Sequence, residues 1–340
     1  MQKEFPGSED FEGAKTKPPE RQPKRAEPQA VNASGEVVSN DKKLRPRNIG
    51  AGTSTGKWEP KYEELQSIYD ISNEFFELFL GPTMGYTCGY FERDEMTIDE
   101  AQLAKFDLAL GKLQLEPGMT LLDIGCGWGA GMQRAIENYD VNVIGLTLSD
   151  EQRKYALDKL GRIPTRRTID VRLQGWEEFH GKADRIVSIG AFEHFGHERY
   201  RAFFQMAYRA LPADGIMLLH TITAVHYDEA KARGVPMTFE LARFAKFIMT
   251  EIFPGGRLPS VSMVAENATG AGFDIARIHE IGPHYVRTLQ LWATALQRHR
   301  DQAIATQSEE VYQRYVKYLT GCQRLFREGQ TSVHQFTLHK

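Results

Sequence analysis

From residue 119 onward, short continuous apolar runs alternate with amphipathic stretches. Met119 to Ile124, Val141 to Leu146, Ile169 to Leu173, Arg185 to Ile189 and Ile216 to Leu219 read as strands. Between them, about Ala130 to Asn138, Ser149 to Leu160 and Arg199 to Leu211 carry the helical period. Apolar strands separated by amphipathic helices predict a parallel sheet covered on both faces. The remainder is mostly helical and closes on Val333-His334-Gln335-Phe336-Thr337-Leu338, which fits an edge strand.

Ahead of the alternating region, Glu63 to Tyr69 and Asn73 to Leu80 read as short amphipathic helices. Thr97-Ile98-Asp99-Glu100 is a capping box, in which each side chain meets the other residue's free backbone N–H. It opens a helix with Leu103, Phe106, Leu110 and Leu113 on one face, ended by the turn Pro117-Gly118. Met237, Phe239, Leu241, Phe244, Phe247, Ile248, Ile252 and Phe253 form a dense apolar stripe, read either as core or as a lid over an apolar tunnel. Residues 1–57 have few large apolar side chains and many Pro, Lys, Arg, Glu, Gly and Ser, so they cannot bury enough surface to offset their ordering entropy. The expected organisation is a disordered extension over 1–57 and one domain over 58–340, with a helical N-terminal segment and a helical lid insertion around 225–258.

Composition narrows the classes. The net charge is −3, without the basic excess of a nucleic-acid binder. Cys88, Cys126 and Cys322 are far apart and form no CxxC pair, which argues against a disulfide framework or a metal site and for a reducing, cytoplasmic compartment. No apolar stretch is long enough to span a membrane, and no apolar signal core opens the chain.

The strongest motif is Leu121-Leu122-Asp123-Ile124-Gly125-Cys126-Gly127-Trp128-Gly129, a strand running into a glycine-rich turn that opens a helix. The dinucleotide pattern GxGxxG is not met, because Ala130 stands where its third glycine belongs. An acid ahead of GxGxG resembles the class I S-adenosylmethionine-dependent methyltransferases. Many of these carry an acid after the second strand for the ribose hydroxyls. Here the segment reads Gly145-Leu146-Thr147-Leu148-Ser149, which leaves the polar contacts to Thr147 and Gln152. Ser149-Asp150-Glu151-Gln152 also reads as a capping box.

Four motifs in order carry a closer resemblance. They are Tyr86-Thr87-Cys88-Gly89-Tyr90-Phe91-Glu92-Arg93, the glycine loop, Ser188-Ile189-Gly190-Ala191-Phe192-Glu193-His194-Phe195-Gly196-His197 and Thr250-Glu251-Ile252-Phe253-Pro254-Gly255-Gly256. From about residue 60 the chain resembles the mycolic acid cyclopropane synthases. The resemblance implies a Rossmann-like seven-stranded α/β sheet with an α-helical cover, and an apolar acyl tunnel beside the cofactor. S-adenosylmethionine would meet Tyr86, Thr87, Asp123, Gly125, Gly127, Gly129, Thr147, Leu148, Gln152, Trp176, Glu177 and Ile189. A bicarbonate ion would lie in a cage of Cys88, Glu193, His220 and Tyr285, with backbone groups near Ile189 and Gly190. Cys322 matches a cysteine proposed as catalytic in the family, although a carbocation route needs no covalent enzyme intermediate. No metal is implied.

The implied reaction is methyl transfer to a cis double bond of a long acyl chain through a carbocation. An isolated double bond has no acidic proton for a base to take, so positioning and an anhydrous pocket must do most of the work. Proton loss from the new methyl gives a cyclopropane, water capture a methyl carbinol, and loss of a neighbouring proton a methyl-branched alkene. Gly190 stands where hydroxylating relatives carry Glu, which favours the first and third products. The alternatives are a methyl-branched or hydroxylated mycolate product and a small-molecule methyltransferase. Arg243, Lys246 and Arg257 suit an acidic acyl carrier protein or anionic headgroups as partner, with peripheral contact at the inner membrane face. Nucleic acid is not expected as a partner.

Overall fold

The computed structural model describes residues 58–60 and 72–340, apart from His226 and the side chains of Tyr227 and Asp228. The helix expected over 63–69 and the extension over 1–57 lie outside the described residues.

Seven strands form one sheet in the order β3-β2-β1-β4-β5-β7-β6. They are β1 Thr120–Ile124, β2 Asn142–Thr147, β3 Ile169–Leu173, β4 Arg185–Ile189, β5 Ile216–Ala224, β6 Asp274–Glu280 and β7 Thr331–His339. The pairs β1·β2, β2·β3, β1·β4 and β4·β5 are parallel. The strand β7 is antiparallel to both neighbours. This is the Rossmann-like sheet of the class I methyltransferases. The early strands stand where the apolar runs put them, because a strand covered on both faces must be apolar throughout.

The end of the chain departs from its reading. The segment expected at the sheet edge is an interior strand, filling the slot between β5 and β6 over nine residues. The edge at this end of the sheet is β6, whose Asp-Ile-Ala-Arg-Ile-His-Glu sequence is half-solvated and carries no continuous apolar signal.

The helix Ile98–Leu110 is α2, following α1 at Asn73–Leu80. Its capping box is reciprocal: Thr97 N donates to Glu100 Oε2 at 2.7 Å and Glu100 N to Thr97 Oγ1 at 3.3 Å. Its buried face is rotated from the expected one. Leu103 is 38% exposed, whereas Ala101, Gln102, Lys105, Phe106, Ala109 and Leu110 are buried. Two polar side chains thus occupy the inner face, and both serve the site described below.

An aromatic cluster joins α1 to the two long C-terminal helices, Pro283–Arg298 and Glu309–Arg327. Phe75 and Tyr315 meet edge to face at 5.0 Å, Phe76 and Trp128 pack tilted at 5.3 Å, and Trp292 is fully buried. Between β5 and β6, where a lid was expected, stand helices Tyr227–Ala232 and Phe239–Phe247 and a π-helical turn at Ile248–Ile252. No helix among the described residues is long and apolar enough to cross a membrane.

The rotated face of α2 sets a contrast. Leu110→Ala empties a closed site and is expected to cost about 2–5 kcal/mol, whereas Leu103→Ala on the same helix stays within about 0.5 kcal/mol. Urea denaturation of both variants measures the difference, and equal losses would restore the face read from the sequence.

Candidate active site

Two cavities open at the carboxyl ends of the central strands, where the strand order reverses between β1 and β4. The smaller has a volume of about 120 Å³ and the larger about 480 Å³. Tyr86, Thr87, Gly190 and His194 line both, so the two share a wall.

The smaller cavity forms where β1 runs into the glycine loop. Gly125 has φ +82°, and a Cβ on it would lie 2.3 Å from Ala191 Cβ, so only glycine fits the turn. Of the twelve residues expected around the cofactor, Tyr86, Thr87, Gly125, Gly127, Thr147, Leu148, Gln152, Trp176 and Ile189 line this cavity. Asp123, Gly129 and Glu177 do not. Asp123 is buried on β1 beneath the loop. Gly129 faces α4 (Asp150–Gly161), and a Cβ there would meet Ala156 Cβ at 3.1 Å. Glu177 turns to Arg199, at 2.9 Å. Arg199 also donates to Glu59 O at 2.7 Å and lies 4.9 Å from the Trp58 ring centroid. Trp128 and Phe195, which lie within the sequence motifs, and Gln174, which lies outside them, also line the cavity.

Only half of the second capping box forms. Ser149 Oγ accepts from Gln152 N at 3.2 Å, but Ser149 N donates to Thr147 Oγ1, also at 3.2 Å, and not to the Gln152 side chain. The Thr147 hydroxyl, already accepting from Ser149, donates to Gln152 Oε1 at 2.9 Å. That bond fixes which end of the amide Thr147 holds and leaves Nε2 as a donor on the cavity wall. A neutral donor thereby stands in the neighbourhood where many such folds keep an acid.

All five residues expected around the chemistry line the larger cavity: Cys88, Glu193, His220, Tyr285 and Cys322. They come from a loop, a 3-10 turn at Phe192–His194, β5 and two C-terminal helices. Glu193 Oε1 accepts from Ile222 N at 2.6 Å, and its Oε2 is buried without a hydrogen-bond partner among the described residues. Burial pushes this carboxyl above the usual carboxylate range, with the Ile222 N–H opposing. Burial holds the His220 imidazole well below its ordinary range, and Lys105 and Lys112 add to the effect. Tyr285 is buried and pushed up, which keeps its phenol a donor. The Cys88 thiol is also pushed up by burial, and it lies 3.3 Å from Gly89 O and 3.6 Å from Ile281 O. Its proton is therefore engaged with backbone carbonyls. Burial pushes Cys322 up to about 12, so it is a neutral thiol at physiological pH.

The apolar stripe divides. Met237, Leu241, Ile248 and Phe253 line the larger cavity, Phe247 and Ile252 are buried, and Phe239 is 78% exposed. Arg257 also reaches the cavity wall, and Arg243 packs over the Phe239 ring at 5.6 Å.

Two site residues escaped the sequence reading. Gln102 Nε2 donates to Thr87 O and Lys105 Nζ to Thr87 Oγ1, each at 2.7 Å. Burial brings Lys105 down to about 7 and Asp123 up to about 7, each opposed by the other's charge. Neither Gln102 nor Lys105 was singled out in the sequence, where only the apolar positions of this helix were counted. Together they hold Thr87 against Gly190, where φ is +70° and an added Cβ would lie 2.4 Å from Thr87 Cγ2.

The family model described as "Mycolic acid cyclopropane synthetase" matches residues 57–336. The chain is 60% identical over 282 residues to cyclopropane mycolic acid synthase 1 of Mycobacterium tuberculosis, covering 83% of this chain and 98% of that one. The structure of the cyclopropane synthase MmaA2 from Mycobacterium tuberculosis is similar with a TM-score of 0.83 at 57% identity, over 84% of this chain and 100% of that one. The mycolic acid cyclopropane synthase CmaA1 complexed with SAH and CTAB gives a TM-score of 0.82 at 60% identity, again over 84% and 100%.

Gly125→Ala is expected to weaken S-adenosylmethionine binding at least about tenfold, or 1.4 kcal/mol. Calorimetric titration reads it directly. Affinity within about twofold of the parent would mean that the loop relaxes around a side chain.

Proposed function

The chain belongs to the mycolic acid cyclopropane synthetase family, and we propose that it closes a cyclopropane ring on a cis double bond of a long mycolic-type acyl chain. It is an S-adenosylmethionine-dependent methyltransferase, and the relative CmaA1 is known in complex with SAH, the demethylated form of that cofactor. The observation that carries the reading is the shared wall: a small polar-edged cavity and a large apolar one touch only through Tyr86, Thr87, Gly190 and His194. A methyl donor in the first and an acyl chain in the second would meet there. The larger cavity, lined by Leu, Ile, Met, Phe and Ala over about 480 Å³, suits a hydrocarbon better than a small polar acceptor.

The smaller cavity fits the cofactor, since a Cβ on Gly125 would close the turn and Gln152 presents a fixed amide donor. S-adenosylmethionine brings an electrophilic sulfonium methyl to this site. The chain's own contribution is placement, with Trp176 and Leu148 on the wall and Thr87 held at the boundary by Gln102 and Lys105.

The larger cavity also fits a small protonated anion. Glu193 Oε2 is buried without a partner and would accept the anion's O–H, while His220 and Tyr285 are neutral donors. Bicarbonate there would supply a base and a negative charge beside the cationic chain. Cys88 joins this cage through its neighbourhood and not as a donor, because its S–H points to backbone carbonyls. Cys322 serves as cavity wall.

Water exclusion selects the product. The lining keeps water from the cation, and Gly190 carries no carboxylate to hold one. A side chain at 190 would run into Thr87. Substrate delivery by an acidic acyl carrier protein is the reading supported by Arg243, Arg257 and the exposed Phe239, Met237 and Met249 around the lid. The same exposed apolar rim supports a cytoplasmic protein that touches the inner membrane face.

Methyl-labelled S-adenosylmethionine and unsaturated mycolic-type acyl chains test this assignment by mass spectrometry and proton NMR. The expected product carries label in a cyclopropane ring, and Glu193→Gln lowers ring formation about 10²-fold with cofactor affinity kept within about twofold. Labelled carbinol or branched alkene in place of the ring would overturn the cyclopropane assignment.

A further inference from the structure

Three strands place His220, Gln335 and His279 in one row across the sheet. His220 on β5 pairs directly with Gln335 on β7, and Gln335 pairs with His279 on β6. Lys112, from the 3-10 turn Gly111–Leu113 after α2, closes the row from one side. Its Nζ lies 2.5 Å from Gln335 Oε1 and 3.0 Å from His279 Nδ1. Gln335 Nε2 lies 3.3 Å from His220 Nδ1. Gln335 is wholly buried and His220 nearly so.

The donor inventory fixes every proton in this row. A lysine ammonium has three donors and no acceptor, so it must meet the oxygen of the Gln335 amide. Burial and Arg277 bring Lys112 down to about 8, which leaves it mainly charged at neutral pH. The amide therefore cannot turn over, and its NH₂ end faces His220. An NH₂ group needs an acceptor, so His220 Nδ1 carries no hydrogen. The same logic leaves His279 Nδ1 as acceptor toward Lys112. A neutral imidazole with a bare Nδ1 carries its hydrogen on Nε2, the nitrogen left to the cavity that His220 lines.

We infer that Lys112 and Gln335 are positioning residues that lock His220 as the Nε2–H tautomer, so that the reaction cavity always receives an N–H donor from this side. The inference rests on the reading above that His220 faces the reacting centre. It assigns roles to two residues that touch neither cofactor nor acyl chain. The reaction needs such a lock because an imidazole that changed tautomer would present a lone pair toward a bound anion, and an imidazolium would repel the cationic chain.

Long-range ¹H–¹⁵N NMR of histidine-labelled full-length protein, with His220 assigned by His220→Gln, reads the tautomer in the unaltered protein. The expected pattern is a bare Nδ1 and a protonated Nε2, unchanged across neutral pH. Gln335→Glu replaces the forced donor by an acceptor, and is expected to move the hydrogen to Nδ1 and lower kcat about 10²-fold, with KM for S-adenosylmethionine within about twofold. Lys112→Met, at a half-buried site, is expected to mix the tautomers and lower kcat about tenfold, and Lys112→Arg to restore both. Nδ1–H in the parent protein would overturn the inference, as would a Lys112→Met variant with parental tautomer and turnover. If the parent protein makes no labelled ring, the reaction assignment fails on its own, whatever the tautomer.

Discussion

Thr87 meets Gly190 at the boundary between the two cavities, and the side chain that residue 190 lacks is what permits the contact. Much of the site depends on that approach. Gly190 N donates to His220 O at 2.9 Å, tying the end of β4 to the middle of β5. Three residues later the chain sets Glu193 on its 3-10 turn, with its backbone carbonyl accepting from Arg257 N and its carboxylate from Ile222 N. The wall, the carboxylate and the histidine thus hang on one turn whose width is set by a missing Cβ. On the other side Thr87 is held by Gln102 and Lys105, so the boundary is stiff from both faces.

Desolvation is the second governing term. Glu193, Cys88, His220, Tyr285 and Cys322 are all driven toward their neutral forms by burial. A site that handles a cationic hydrocarbon gains from this. Fixed dipoles need no reorganisation as the cation forms. The cost of such a site is a set of buried polar atoms that must be satisfied, and side-chain partners orient two of its amides. Thr147 orients Gln152, and Lys112 orients Gln335.

The sheet was legible where strands are covered on both faces, because continuous apolar runs such as Val141 to Leu146 have few other uses. The glycine loop was legible for the same kind of reason, since Gly125 sits where a Cβ would strike Ala191. What sequence could not resolve were elements whose pattern is set by neighbours far along the chain. Both β6 and β7 were misjudged: β6 looks polar because it is a true edge, and β7 was taken for an edge although it lies inside the sheet. Leu103 was counted inward and Lys105 was not marked at all, because hydrophobicity alone cannot foresee that a lysine will be buried to hold a threonine. Asp123 and Glu177 illustrate the converse. Both belong to motifs beside the cofactor cavity, yet one supports the loop from below and the other pairs with Arg199.

The placement of β7 has a consequence for biosynthesis. The smaller cavity is lined by residues 86–195, so its walls exist once that stretch has been made. The larger cavity reaches to Thr331, and the partner of His220 lies 115 residues after it. At typical translation speeds that separation is on the order of ten seconds. A growing chain therefore holds every lining residue of its cofactor pocket first, and carries β5 with an unpaired flank until β7 arrives. During that interval an apolar strand edge and an open acyl cavity are exposed together. The demand for chaperone protection falls on this window, between the two halves of one site.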